Sequence, residues 1–252
     1  MKIKKILVSQ PQPESEKSPY HELALKNNVK IDFRPFSHVE GIMCKEFRKQ
    51  RVDILNHTAV IFTSKTAINH FFRICEEMRI TVPDSMKYFC ISESVAFFLQ
   101  KYIVYRKRKI FYGQGSFTDL IDVITKHSEE KFLLPLSDQH NEEIPILLEN
   151  NNIRYTKAIL YKTVCSDLSD LSSINYDLLV FFSPSGVKSL LHNFPEFKQN
   201  NIKIASFGET TAKAVKDAGL RLDLQAPMPH APSMTMALDI FIREHNKNHK
   251  DQ

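Results

Sequence analysis

Apolar and polar positions along this chain follow a pattern that occurs twice. The run Val60-Ile-Phe62 ends in Thr63 and Ser64, whose hydroxyls open an amphipathic helical stretch, and Leu178–Phe182 ends in Ser183, Pro184 and Ser185 and does the same. The order then continues in both copies. Phe89-Cys-Ile-Ser-Glu-Ser-Val-Ala96 and Ser116-Phe-Thr-Asp-Leu120 follow the first; Ala205-Ser-Phe-Gly-Glu-Thr-Thr-Ala212 and Ser233-Met234 follow the second, at nearly constant spacing. An apolar, β-branched run ending in hydroxyl residues ahead of a 3.6-period segment predicts a strand, a loop and a helix, so the repeated unit is structural.

A smaller repeat fills the gaps. Ile6-Leu-Val8, a polar loop, a short helix, Asn27-Asn-Val29 and an extended run to Phe36 recur as Phe132-Leu-Leu134, a loop, a helix, Asn151-Asn-Ile153 and a run to Leu160. The chain therefore reads small, large, small, large. Each small unit predicts strand–helix–strand, and each large one three strand–helix pairs.

Punctuation is clearest in the second large unit. There Leu178–Phe182 is a strand, Ser183 an N-cap, Pro184 the first helical residue and Val187–His192 helical. Lys203–Phe207 is the next strand, with Gly208 as turn, Thr210 or Thr211 as cap, and Ala212–Ala218 a helix closed by Gly219. Arg221–Leu224 is expected as the last strand.

Strands and helices that alternate in this way call for right-handed parallel crossovers, so each small-plus-large pair should build a five-stranded parallel sheet with helices on both faces. The fold class is α/β with doubly wound sheets. Periodicity leaves the pairing open. Neighbouring units could make two continuous domains, or the first small unit could complete the second large one, leaving the middle of the chain as an inserted domain.

With 252 residues, there is room for two domains of roughly 100–150 residues. Even Leu178–Phe182, an apolar run that no other in the chain exceeds in length, is far below the ~20 residues that span a bilayer. Met1-Lys-Ile-Lys-Lys5 is followed only by Ile6-Leu-Val8, shorter than the ~7–15-residue core of a signal peptide, so a cytoplasmic location is expected. Cys44, Cys75, Cys90 and Cys165 form no CxxC pair and read as free thiols, Cys75 and Cys90 in apolar contexts.

A net charge of +5 suits an anionic partner. The basic run Arg106–Lys109 with Tyr102, Tyr105 and Tyr112 reads as a solvated loop over packed tyrosines, and no nucleic acid is expected. Gly113 and Gly115 lack the third glycine of a dinucleotide fingerprint, and neither a Walker A nor a GxSxG sequence occurs. His245 and His249 fall in a polar C-terminal tail, while Glu76-Glu77, Glu129-Glu130 and Glu142-Glu143 read as solvated helix faces.

Parallel sheets bind ligands beyond the carboxyl ends of their strands. The hydroxyl positions fall there in both large units: Thr63, Ser64, Thr66, Ser92 and Ser94 in one, Ser183, Ser185, Thr210 and Thr211 in the other. Helix N-termini add unpaired N–H groups that favour carboxylates or phosphates. Any one hydroxyl could be a helix cap and nothing more. Four such loops across two domains point to a cleft for a polyanion.

At these residues the chain resembles the uroporphyrinogen-III synthase family. The likeness runs from Ile6-Leu-Val-Ser-Gln-Pro11 through nearly the whole length and is strongest in Leu160-Tyr-Lys-Thr-Val164, Phe182-Ser-Pro-Ser-Gly-Val187 and Ser206-Phe-Gly-Glu-Thr-Thr-Ala212, followed by Gly219-Leu220 and Ala226-Pro227. The resemblance implies two flavodoxin-like domains joined by a two-stranded linker, the second inserted into the first. Residues 1–36 and 167–252 would form domain 1, residues 42–159 domain 2, and residues 37–41 and 160–166 the linker strands.

The resemblance also implies cyclisation of hydroxymethylbilane, a linear tetrapyrrole with eight carboxylates, to uroporphyrinogen III with inversion of ring D, without cofactor or metal. Tyr161 matches the family's linker tyrosine and would be the proton donor. Thr210 and Thr211 match its paired threonines. Ser183, Ser185 and Gly186 match a substrate loop, with Thr63 and Ser64 as counterparts and Ser92 where the family often has glycine. Pro135-Leu-Ser-Asp138 replaces a more usual proline-arginine-glycine-aspartate segment. The pathway enzyme that supplies the substrate would be a transient partner. The rivals are a non-enzymatic two-domain hinge protein that binds a small polyanion, and a divergent inactive relative.

Overall fold

A computed structural model describes residues 2–15, 17–171 and 174–248. It divides into two compact units, Met1–His38 with Val164–Gln252, and Val39–Thr163.

The chain begins in the first unit with β1 (Lys5–Val8), α1 (Pro19–Asn27) and β2 (Lys30–Phe33), then runs through β3 (Ser37–Gly41) into the second. There it forms α2 (Cys44–Lys49), β4 (Ala59–Phe62), α3 (Lys65–Glu77), β5 (Lys87–Cys90), α4 (Glu93–Phe98), β6 (Ile110–Tyr112), α5 (Phe117–Thr125), β7 (Phe132–Ser137) and α6 (Glu143–Asn150). The long β8 (Tyr155–Cys165) leads back to β9 (Leu178–Phe181), α7 (Pro184–Asn193), β10 (Lys203–Phe207), α8 (Glu209–Asp217), β11 (Leu224–Ala226) and α9 (Met234–Asn248).

In the first unit the strand order is β11-β10-β9-β1-β2, and every pair is parallel. The first small repeat thus completes the second large one. Its central strands are buried on both faces, which is why they read as unbroken apolar runs. Ile6, Val8, Leu178 and Val180 pack with Leu23, Met234 and Leu238, while Leu7, Leu179 and Phe181 pack with Val187, Leu190 and Val215 on the other face.

The second unit has the order β3-β8-β7-β4-β5-β6. Val60 and Phe62 pack with Ile68 and Phe71 of α3; Ala59 and Ile61 pack with Leu120 and Ile124 of α5. This sheet has six strands where five were expected, because β3 adds its hydrogen bonds to the β8 edge. Its residues Ser37-His-Val-Glu-Gly41 carry no apolar alternation, as befits an edge with little to bury.

Several boundaries differ from the sequence reading. The last strand starts at Leu224, not Arg221, because the Gln199 side chain holds the Arg221 peptide: Arg221 N–H donates to Oε1 at 2.7 Å and Nε2 donates to its carbonyl at 2.8 Å. Glu130 is no solvated helix face. It sits in a bend, its carboxylate 2.5 Å from Lys87 Nζ. His245 belongs to α9, its ring 6.0 Å from that of Phe241, while His249 lies outside the described residues.

All four cysteines are free, Cys75 and Cys90 buried among the apolar residues behind α3. Beneath the basic run, Tyr102 stacks on Phe72 at 4.5 Å and Tyr105 on Phe97 at 5.5 Å. Among the described residues no helix is long and apolar enough to cross a membrane.

Candidate active site

In the second unit Thr63 and Ser64 follow the carboxyl end of β4. Ser64 is extended (φ −159°) and its hydroxyl accepts from the Ala67 N–H at 3.0 Å, capping α3. This satisfies one of the helix's first four amides and leaves others exposed to a ligand.

Tyr161 reaches the same place through an irregularity in β8. Register runs Pro135↔Ala158 and Leu136↔Ile159, then jumps to Ser137↔Tyr161, so Leu160 is the extra residue of a bulge. Ile159 packs towards the α5 side of the sheet and Leu160 towards α3. Regular alternation would send Tyr161 back to the α5 side. The bulge instead keeps it on the α3 side, where its ring stacks on His70 with centroids 5.1 Å apart and planes 20° from parallel.

Asp138 clamps this stretch of β8. Its N–H donates to the Tyr161 carbonyl at 3.0 Å, and its carboxylate accepts from the Thr163 N–H at 3.1 Å and from the Ser137 hydroxyl at 2.9 Å. Burial holds the Tyr161 phenol above its ordinary value, with a weaker opposing pull from the Ser64 hydroxyl. The group is therefore a neutral O–H donor at physiological pH.

Ser92 behaves differently from its counterparts. It precedes the six-residue α4 in an extended conformation, but its hydroxyl lies 3.2 Å from that of Ser94 and caps nothing.

In the first unit Ser183 repeats the Ser64 cap, accepting from the Gly186 N–H at 3.2 Å. Its hydroxyl is 2.8 Å from that of Ser185, which is 3.1 Å from that of Ser37, giving a short hydroxyl chain. A side chain at Gly186 would put its Cβ 3.3 Å from Phe181 Cδ1 and 3.5 Å from Ser9 Oγ, so the helix start packs closely on β9 and a larger residue would need the Phe181 ring to shift by a few tenths of an ångström.

Neither Thr210 nor Thr211 is the cap of α8. Gly208 takes that position at φ 83°, ψ 155°, a conformation open in practice to glycine alone, and the helix begins at Glu209 with no side-chain cap. Both threonines lie inside the first turn. Thr210 is exposed, whereas Thr211 is 1% exposed.

Among the described residues, His127, Glu129 and Glu130 bring candidate metal-ligand atoms within 4.8 Å of one another, but Lys87 already neutralises Glu130. Lys87 opens β5, so the group stands at the amino ends of the strands, away from the hydroxyl loops.

Hydroxyl-bearing loops and open helix starts at strand carboxyl ends, with a neutral tyrosine beside one of them, suit a substrate with several carboxylates. The family model described as uroporphyrinogen-III synthase HemD matches residues 18–236. The chain belongs to the uroporphyrinogen-III synthase family.

Uroporphyrinogen-III synthase of Saccharomyces cerevisiae is 24% identical over 141 residues, which cover 50% of this chain and 50% of the yeast protein. The chain thus spans half the length of that curated relative. The solved structure of uroporphyrinogen-III synthetase from Helicobacter pylori aligns with a TM-score of 0.59 at 19% identity, covering 96% of this chain and 100% of that one. A mutant uroporphyrinogen III synthase from Thermus thermophilus aligns at 0.51 and 12% identity, covering 99% and 100%. These two likenesses carry the fold.

Within this family member, the structure groups the residues singled out in the sequence as two clusters, each inside one unit: Thr63, Ser64 and Tyr161 in the second, Ser183, Ser185 and Gly186 in the first. The sequence reading missed His70, Asp138 as a clamp, and Ser37. His70 and Arg73 share one face of α3 at a spacing of three, a signal available in the sequence; the stack on Tyr161 depends on a bulge that periodicity does not announce.

Proposed function

We propose that this protein is a lyase that cyclises hydroxymethylbilane to uroporphyrinogen III with inversion of ring D. The match of the family model to residues 18–236 carries this reading. The neutral, half-buried phenol of Tyr161 supports it chemically.

Loss of hydroxide from the hydroxymethyl group of the first ring leaves an azafulvene cation. The substituted carbon of ring D attacks it to give a spiro intermediate, and fragmentation followed by reclosure inverts that ring. Tyr161 protonates the departing hydroxyl. Thr63, Ser64, Ser92, Ser183, Ser185 and Thr210, with the backbone at Gly186 and the open helix amides, bind the carboxylates and hold the chain ends close to attack distance, while Thr211, expected from the sequence to join them, is buried at the helix start. No cofactor or metal takes part.

In this reading residues 37–41 and 160–166 are linker strands between two domains, the protein works in the cytoplasm, and it receives substrate through transient contact with the preceding enzyme. Because the substrate closes unaided to the symmetric isomer I, the test is direct. With hydroxymethylbilane supplied, isomer III should dominate the product; unchanged formation of isomer I would leave a polyanion-binding protein.

A further inference from the structure

The row His70, Arg73, Glu77 on α3 has no place in the scheme above, yet it meets Tyr161 and both strands that cross between the units. Arg73 Nε donates to His70 Nδ1 at 3.3 Å, and its Nη1 pairs with Glu77 Oε1 at 2.6 Å. Nη2 donates to the carbonyls of Ile42 at 2.8 Å and Leu160 at 3.4 Å. Those two residues are themselves joined, Ile42 N–H to Leu160 O at 3.0 Å.

The guanidinium therefore ties α3 to the residue just past β3 and to the bulge residue just before Tyr161. Its fixed fork suits it to hold several acceptors at once. By donating to Nδ1 it selects the tautomer with the proton on Nε2 and fixes the plane of the imidazole. That plane is the one against which the Tyr161 ring lies.

We propose that His70, oriented by Arg73, is a positioning residue that sets the direction of the Tyr161 hydroxyl during ring closure. This rests on the assignment of Tyr161 as proton donor. Burial and the neighbouring Arg73 charge both lower the His70 pKa, which keeps the ring neutral and able to accept from Arg73. A stack fixes the ring of a tyrosine without competing for its hydroxyl, so His70 acts on orientation and leaves carboxylate binding alone. Small misplacements of a reacting group are costly in rate, up to ~100-fold for 1 Å.

The test is a kinetic cycle on the full-length chain with hydroxymethylbilane, comparing wild type, His70→Ala, His70→Phe, Tyr161→Phe and the His70→Ala/Tyr161→Phe double variant. His70→Ala should lower kcat for isomer III by about tenfold with KM little changed. His70→Phe keeps a ring on that face and should recover most of the loss. In the Tyr161→Phe background His70→Ala should add nothing, since its effect passes through the missing hydroxyl.

An equal loss in both backgrounds, or a change confined to KM, overturns the proposal. So does a wild-type rate for His70→Ala beside a slow Tyr161→Phe, in which case the assignment of Tyr161 survives. A wild-type rate for Tyr161→Phe overturns that assignment and this inference with it.

Discussion

The two large repeats keep the same elements and cap their first helices alike, but they open their second helices by different means. In the first unit the chain enters α8 through Gly208 at φ 83°, leaving a helix start with no side-chain cap. At the matching point of the second unit Ser92 leads into α4 in an ordinary extended conformation. Helix α8 runs nine residues and α4 six. Duplicated sequence preserved the topology, which depends on apolar runs, and let the loop chemistry diverge, since a loop needs only to rejoin the next strand. The second unit in turn carries a bulged strand that delivers Tyr161 beside a capped helix start.

If that division of labour is right, Tyr161→Phe is the most damaging single change. The rate of isomer III formation should fall by roughly 10²–10⁴, the span of general acid catalysis, with isomer I taking up the lost product and thermal stability little changed. The phenol pKa is raised by burial, so the donor should stay protonated throughout the neutral range. The sign for stability follows: this raised pKa contributes fully below the unfolded value of ~10 and is lost as pH climbs through the folded one. The alkaline loss of stability should be smaller in Tyr161→Phe, as measured by denaturant titration at several pH values.

Exchanging the residues that precede the two helices tests the comparison directly. Gly208→Ser, which imports the second unit's residue, should cost ~1–3 kcal/mol through backbone strain, because no atom lies within 4 Å of the added Cβ and a clash is not the cause. Ser92→Gly should change stability by less than ~0.5 kcal/mol, since its hydroxyl caps nothing. Equal costs in denaturant melts would mean that the two helix starts are equivalent after all.

The smallest effects separate the paired threonines. Thr211→Ala should cost ~1–2 kcal/mol of stability from a buried site. Thr210→Ala, at an exposed site, should stay within ~0.5 kcal/mol and instead weaken substrate capture about tenfold, the value of a hydrogen bond to a charged group. Raised KM in both variants with no loss of stability in either would show that Thr211 also faces substrate.

What could be read from the sequence depended on whether a signal was local. Leu178–Phe182, Lys203–Phe207 and the Ser183-Pro184 helix start were legible because an apolar run and a cap declare themselves within a few residues. The start of β11 was not, because Gln199 reserves the Arg221 peptide from over twenty residues away. Thr210 and Thr211 read as caps because hydroxyls at a helix start usually are; the positive φ of Gly208 moves the boundary ahead of them. Tyr161 was marked by resemblance alone, and its surroundings arise from a register shift between β7 and β8 that no single-strand pattern contains.

Gly41 carries a consequence for how this chain can change over generations. A Cβ there would stand 2.6 Å from the Arg73 guanidinium, whose position is fixed by its bonds to Ile42, Leu160, His70 and Glu77. While the arginine remains, any side chain at position 41 must dislodge it. Replacing the arginine removes the three nearest of the atoms such a Cβ would meet. The two sites are therefore coupled: a side chain at position 41 should cost less stability in an Arg73 variant than in the wild type, because the bonds it would break are already gone.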